Sequence, residues 1–303
     1  MKKNVLSLFD GMSCCQIALK SLGIKIDNYY ASEIEYGAIM VARHNFPNME
    51  HVGDVRNICS KDYHQIWLLA AGSPCTDISI AGDMKGMLGI TSLNQYLELK
   101  KKKHNFGKSQ SYLFWEFIRI LRELKPKYFF LENVIFKGKM KKYEKIITEA
   151  LGVEPIRINS SLVSAQNRDR LYWTNIPGIT IPKDKGILCT DVIPNGYGAG
   201  RRGVKGTKDS KYQIKLTIRT DKKFNCLVTK PDNTNLVYYP DGTLRKLTVQ
   251  EAEVLQTLPK GYTNVEGVTQ AEKYRMIGNG WTIDVIKHLL KPLKSKINLE
   301  YPK

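Results

Sequence analysis

Cys75 stands in the run Ala71-Gly72-Ser73-Pro74-Cys75-Thr76-Asp77-Ile78-Ser79, directly after an apolar segment. A Pro-Cys turn beyond a buried strand carries its thiol out of the core and into the crevice on which the strand ends open. Glu132 closes a second apolar segment, Phe129-Phe130-Leu131-Glu132-Asn133-Val134. Desolvated there, it would offer a protonated carboxyl as a donor; the plainer alternative is a salt-bridged strand end. A thiolate facing a carboxylic acid across a crevice suits attack on an electron-poor ring.

Three further positions suit a nucleoside. In Leu8-Phe9-Asp10-Gly11-Met12-Ser13-Cys14 a strand turns tightly into a helix, a geometry that points backbone N–H groups at an anionic ligand group. It has one glycine rather than the three of the dinucleotide fingerprint. Glu33, after Ala31-Ser32, is placed to take both hydroxyls of a ribose, and Asp54, in Gly53-Asp54-Val55, to accept from an adenine amine. Singly, each carboxylate reads as a helix cap or turn residue. Three successive strand ends together read as a nucleoside site.

Those side chains need strands to deliver them. Apolar runs at Val5–Phe9, Tyr29–Glu33, His51–Asp54, Trp67–Gly72 and Tyr128–Asn133 alternate with helical patterns as far as about residue 165. The clearest helix puts Phe114, Phe117, Ile118 and Leu121 on one face. This alternation predicts an α/β fold, a doubly wound, mostly parallel sheet with helices on both faces and ligands beyond the strands' carboxyl ends. Residues 76–110 break the pattern with Gly82, Gly86, Gly89 and a lysine run, and read as a lid, a binding loop or a disordered insert. The Gly-, Lys- and Asn-rich stretch 178–244 reads as a smaller second domain. The expected division is 1–177, 178–244 and 245–303, the last returning as helices to the first unit.

The 303 residues carry 47 Lys and Arg against 29 Asp and Glu, a net charge of +18. Such an excess suits a polyanion, whose counterions are released on contact. The basic residues cluster in four runs, Lys100–Lys103, Lys137–Lys145, Arg201–Lys211 and Lys287–Lys296, which favours a charged groove over one tail. The six cysteines include no CxxC pair, so no metal site is expected, and free thiols are. No run approaches the roughly 20 apolar residues of a membrane span. The short apolar run after Met1-Lys2-Lys3-Asn4 is too brief for a signal peptide, so an intracellular, cytoplasmic protein is expected.

Taken in order, these motifs resemble those of the cytosine-5 DNA methyltransferases. The resemblance rests on Phe9-Asp10-Gly11, Glu33, Asp54, Gly72-Ser73-Pro74-Cys75, Glu132-Asn133-Val134 and Gln166-Asn167-Arg168-Asp169-Arg170. It continues with Arg245-Lys246-Leu247-Thr248 and Glu251, then Gly278-Asn279-Gly280-Trp281. The phrases Leu6-Ser7-Leu8-Phe9-Asp10-Gly11 and Val52-Gly53-Asp54-Val55-Arg56 are closest to the catalytic domain of the de novo enzymes, while the compact chain suggests a bacterial or phage member. Ser13-Cys14 replace the family's usual glycine pair.

The resemblance implies a Rossmann-like methyltransferase domain with a target-recognition domain, S-adenosylmethionine as cofactor and double-stranded DNA as partner. It implies that Cys75 attacks a flipped-out cytosine, Glu132 binds its ring nitrogen, Arg170 holds its carbonyl oxygen, and Arg168 supports Cys75 or the phosphates. Phe9, the segment Asp10, Gly11, Met12, Ser13 and Cys14, Glu33, Ile34, Asp54, Val55, Pro74, Asn279, Gly280 and Trp281 would hold the cofactor. Ser79, Lys100, Lys101, Lys102, Lys103, Arg201 and Arg202 would meet DNA, the lysines on phosphate and the arginines on base edges.

Two other readings make different predictions. A catalytically inactive DNA-binding relative would have lost Cys75 or the cofactor carboxylates, which are present. A transfer-RNA cytosine methyltransferase would carry a Cys-Phe-Thr signature, whereas Cys189 is followed by Thr190-Asp191 and Cys226 by Leu227-Val228.

Overall fold

The computed structural model describes residues 2–74, 87–205, 212–230 and 234–300, with backbone alone at 202–205, 212–213 and 295–300. Its first part runs β1 (Asn4–Leu8), α1 (Cys14–Ser21), β2 (Asn28–Ser32), α2 (Tyr36–Asn45), β3 (Glu50–His51), β4 (Ile66–Gly72), α3 (Leu93–Lys101), α4 (Phe114–Leu124), β5 (Tyr128–Val134), α5 (Lys141–Leu151), β6 (Ile156–Asn159) and β7 (Asp169–Thr174). These seven strands form one sheet in the order β3-β2-β1-β4-β5-β7-β6. The pairs joining β3, β2, β1, β4 and β5 are parallel, while β7 runs antiparallel to both β5 and β6. The order reverses between β1 and β4, the point beyond whose carboxyl ends an open α/β sheet takes its ligand.

Alternation along the strands builds two cores. Val5, Leu68, Ala70, Tyr128, Phe130 and Tyr172 face one side, with α1, α2 and α9 (Ile283–Glu300). Leu6, Leu8, Leu69, Ala71, Phe129, Leu131, Leu171 and Trp173 face the other, with α3, α4 and α5. A period of two with both faces buried is why these strands read as continuous apolar runs. On α4, Phe114, Phe117 and Ile118 are fully buried and Leu121 packs at the margin, as their spacing predicts.

The remaining elements are α6 (Cys189–Val192), β8 (Tyr197–Lys205), β9 (Tyr212–Ile218), β10 (Leu236–Tyr238), β11 (Leu244–Lys246), α7 (Val249–Leu255) and α8 (Gln270–Asn279), followed by α9. A second, antiparallel sheet has the order β11-β10-β8-β9. Thr248 and Glu251 form a reciprocal cap at the start of α7, and Arg245 pairs with Glu251 at 2.7 Å. That motif therefore has a local role in starting a helix.

Three expectations need correction. The third strand ends at His51, because Asp54 instead caps a short 3-10 turn, Val55–Asn57, by accepting from the Arg56 N–H at 2.9 Å. The stretch 76–110 is not one open loop. From Met87 onward it docks on the second core through Met87, Ile90, Leu93 and Tyr96, all buried, and its helix α3 is capped by Ser92. The alternation also hides β6 and β7, where the chain turns back antiparallel at the sheet edge.

Candidate active site

Five residues between β1 and α1 make a tight turn in which Phe9, Gly11 and Ser13 have φ of 54°, 59° and 63°. Glycine adopts this conformation freely, whereas Ser13 needs support. Its hydroxyl donates to Asp10 Oδ2 at 2.5 Å, and Tyr29 donates to Oδ1 at 2.6 Å. Asp10 is turned into the core, where burial pushes its carboxyl up to about 6 against the pull of those hydroxyls. Met12, Ser13 and Cys14 are buried as well, and the Met12 carbonyl accepts from the Tyr262 hydroxyl at 2.7 Å. Only Phe9 and Gly11 of this turn reach the crevice side in part.

Glu33, one residue past β2, accepts from the Gly11 N–H through Oε2 at 2.8 Å. Its Oε1 accepts from the N–H groups of Ile34 and Glu35 at 2.8 and 2.9 Å. Beside it Ile34 is 61% exposed, an uncovered apolar side chain at the crevice rim. Asp54 is committed elsewhere: both its oxygens lie 3.0 Å from Arg56 Nε, and that guanidinium holds its carboxyl below the ordinary range. Val55 is buried in the second core rather than lining an open face.

β4 and β5 bring the next group together. Gly72 lies opposite Glu132 in the ladder, and beyond it Ser73 accepts from Asn133 Nδ2 at 3.0 Å. Pro74 is the last described residue before Cys75; Cys75 and Ser79 lie outside the described residues. Glu132 is 7% exposed, ion-paired to Arg170 Nε at 2.9 Å and accepting from Trp281 Nε1 at 3.2 Å. A Cβ at Gly72 would lie 2.7 Å from that same indole nitrogen, so glycine is what lets the ring approach.

Arg168 is expected to support Cys75 or the phosphates, and its burial argues against the phosphates. It is 3% exposed and donates to the carbonyls of Gly278 at 3.1 Å and Gly280 at 2.9 Å. A buried guanidinium is held by the acceptors that surround it, and here two of these come from the Gly278–Trp281 segment and a third is the Leu227 carbonyl at 3.4 Å. That segment packs on the first turn: a Cβ at Gly280 would lie 2.7 Å from Met12 Cε. Asn279 is exposed, Gly280 is half-buried and Trp281 is buried.

Cys226 has no sequence signal beyond that of an inert thiol, yet it joins the site. Its sulfur lies 3.4 Å from Arg168 Nη1 and 3.7 Å from Arg170 Nη2. Burial pushes the thiol up, but the two guanidiniums outweigh it and leave it below its ordinary value. This cysteine arrives beside Glu132's partner because Phe224 bridges to Gln166. Gln166, the first residue of the Gln166–Arg170 motif, has a structural role: it joins the Leu227 N–H, the Leu255 carbonyl and Gln256.

The residues expected to meet DNA divide. Lys100 is spent, its ammonium 2.5 Å from the buried Glu116 and 3.0 Å from the Arg56 carbonyl. Lys101, Lys102 and Lys103 are exposed at the end of α3, as is Arg201 on β8; Arg202 is described by its backbone only. Among the described residues no group of three or more His, Cys, Asp or Glu could hold a metal, and no helix is long and apolar enough to cross a membrane.

The profile of the C-5 cytosine-specific DNA methylases matches residues 3–177 and 183–295. The chain belongs to that family. Phage and bacterial methyltransferases are among its relatives. The orphan methyltransferase M.Rho11sI of Bacillus phage rho11s is 30% identical over 211 residues, 64% of this chain and 38% of that protein. The type II methyltransferase M1.ScrFI of Lactococcus lactis subsp. cremoris is 26% identical over 325 residues, 94% of this chain and 76% of that one. The match to a second phage enzyme, M.SPRI of Bacillus phage SPR, likewise spans only 38% of its length. The Dnmt2 methyltransferase of S. pombe shares the fold with a TM-score of 0.66 at 16% identity, covering 96% of this chain and 99% of that one. The compact methyltransferase fold and the family membership expected from the motifs are thus both present.

Proposed function

We propose that this methylase transfers a methyl group to carbon 5 of a cytosine flipped out of duplex DNA, with Cys75 as nucleophile and S-adenosylmethionine as donor. The observation that carries this reading is the pairing of Gly72 with Glu132, which sets the strand leading to Pro74-Cys75 beside a carboxylate held by Arg170.

The crevice suits the cofactor at most of the expected positions. Glu33 Oε2 has accepted one N–H and keeps a lone pair for a ribose hydroxyl, and the exposed Ile34 offers an apolar face for adenine. Ser73-Pro74 and Trp281 border the opposite side. Asp54 fits less well, since an adenine amine would have to share it with Arg56. When bound, S-adenosylmethionine supplies an electrophilic methyl on a sulfonium.

Cys75 adds as a thiolate to carbon 6 of the base, breaking the 5,6 double bond and placing electron density on carbon 5 and on the ring carbonyl. Glu132 hydrogen-bonds the ring nitrogen and exocyclic amine, and Arg170, already held against it, holds the carbonyl oxygen; each offsets charge as it develops. Once carbon 5 carries the methyl group, loss of its proton to water restores the double bond and expels the thiolate. Arg168 and Trp281 position Glu132 and the C-terminal segment rather than touching the base. A DNA-modifying enzyme of this kind works in the cytoplasm of a bacterial cell or a phage-infected host.

Cys75→Ser should abolish turnover while leaving cofactor affinity within a few-fold. A 5-fluorocytosine duplex, which has no carbon 5 proton to lose, should trap a covalent adduct with wild type and not with the variant. Adduct formation by the serine variant, or none by wild type, would reject the nucleophile. Labelled methyl transfer compared on duplex DNA, single-stranded DNA and transfer RNA tests the substrate, and transfer to RNA alone would overturn it.

A further inference from the structure

β9 is the edge strand of the second sheet, and it carries Ile214, Leu216 and Ile218 at 75%, 38% and 38% exposure. Residues two apart on a strand share a face, so the three make one apolar stripe. The ladder pairs Ala199 with Ile218, Arg201 with Leu216 and Gly203 with Ile214. Directly opposed residues point to the same side. Arg201 therefore stands beside the stripe, while Lys215 and Thr217 lie on the reverse. Ala199, at the root of this face, is buried, and Arg201 beyond it is exposed.

Charge decides what such a face can meet. Residues 197–218 contain Arg201, Arg202, Lys205, Lys208, Lys211 and Lys215 against the single acid Asp209. A second copy would bring the same charge against it, which disfavours self-association. A polyanion is attracted, and two strands about 4.8 Å apart fit a major groove about 12 Å wide. The apolar feature of that groove is the thymine methyl group, and the commonest partner of an arginine there is guanine.

We propose that the β8–β9 ribbon enters the major groove with the Ile214, Leu216 and Ile218 face against thymine methyl groups and Arg201 on a neighbouring guanine. This deepens the preceding reading and rests on duplex DNA being the substrate. Arg201 then reads G·C pairs by hydrogen bonding, and the stripe reads A·T pairs by shape and desolvation.

Thymine and deoxyuridine differ by that methyl group alone. Duplexes that wild type selects from a randomised pool, remade with deoxyuridine, should bind more weakly by roughly fourfold for each methyl desolvated. The double variant Ile214→Asn, Leu216→Asn should bind both forms alike, and Leu216→Ile should keep the discrimination, which separates lost readout from lost folding. Equal binding of both duplexes by wild type, or undiminished discrimination by the double variant, would overturn the proposal. So would a dimer that the double substitution dissociates while discrimination persists, since the face would then belong to a second copy. Methyl transfer to the same duplexes is scored separately. Discrimination without transfer removes the enzymatic reading and leaves the ribbon, and transfer without discrimination does the reverse.

Discussion

Asp10 is a carboxylate built into the turn between β1 and α1, and its side chain points into the core. Its folded value of about 6 lies above the ordinary 3.8, so between those values the folded state binds the proton that the unfolded chain has released. Stability from this group is therefore present below pH 4 and lost as pH rises toward 6, by about 3 kcal/mol for a shift of this size. Asp10→Asn mimics the protonated form and should lack that loss. The melting temperature of wild type minus that of the variant should fall between pH 4 and pH 7, whereas a constant difference would reject the assignment. The same residue shows where sequence reading stops. The Phe-Asp-Gly motif marks the turn, but its tertiary partners, Tyr29 on another strand and Tyr262 late in the chain, decide which atoms face inward. Cys226 is the sharper case, since its two arginines approach through strand pairing alone and no local pattern announces them.

Among the elements, those with strong periodicity are legible in the sequence and those with mixed signals are not. α4 and the central strands read directly because burial on whole faces imposes a period. α3 is obscured because its apolar Leu93, Tyr96 and Leu97 run straight into four lysines, and the lysines suggest an electrostatic clamp. One of those lysines is part of the helix's anchorage. Glu116 is wholly buried and held by Lys100, Arg119 and the Tyr96 hydroxyl. Lys100→Ala should therefore cost about 1–3 kcal/mol of stability, since it strips a buried carboxylate of one partner while Arg119 remains. Lys101→Ala, at an exposed position, should stay within about 0.5 kcal/mol. Denaturant midpoints distinguish them, and equal midpoints would return Lys100 to the surface. A DNA-binding defect in Lys100→Ala should be compared with that of Lys101 to Lys103 replaced together, where a shallower salt dependence would mark true phosphate contacts.

Across the whole molecule, the site is completed by segments far apart in sequence. Gly72 and Glu132 come from the central strands, and Trp281 from the turn before α9. Gly72→Ala should push a rigid indole off Glu132 and cost about 1–3 kcal/mol, the usual range for overpacking. Trp281→Phe in the same background should recover part of that loss, because it removes the clashing nitrogen. Additive losses in the double variant would show that the two residues do not press on each other. The dependence of Arg168 on Gly278 and Gly280 has a consequence for the order of synthesis. The arginine leaves the ribosome 110 residues ahead of its Gly278 acceptor. At 5–20 residues per second, roughly 5–20 s pass in which that guanidinium lacks the Gly278 and Gly280 carbonyls and has at most the Leu227 carbonyl and the Cys226 sulfur in place of water. A nascent chain still being translated thus holds Glu132 and Arg170 without Trp281 behind them, and the crevice matures only once the last helices have been made.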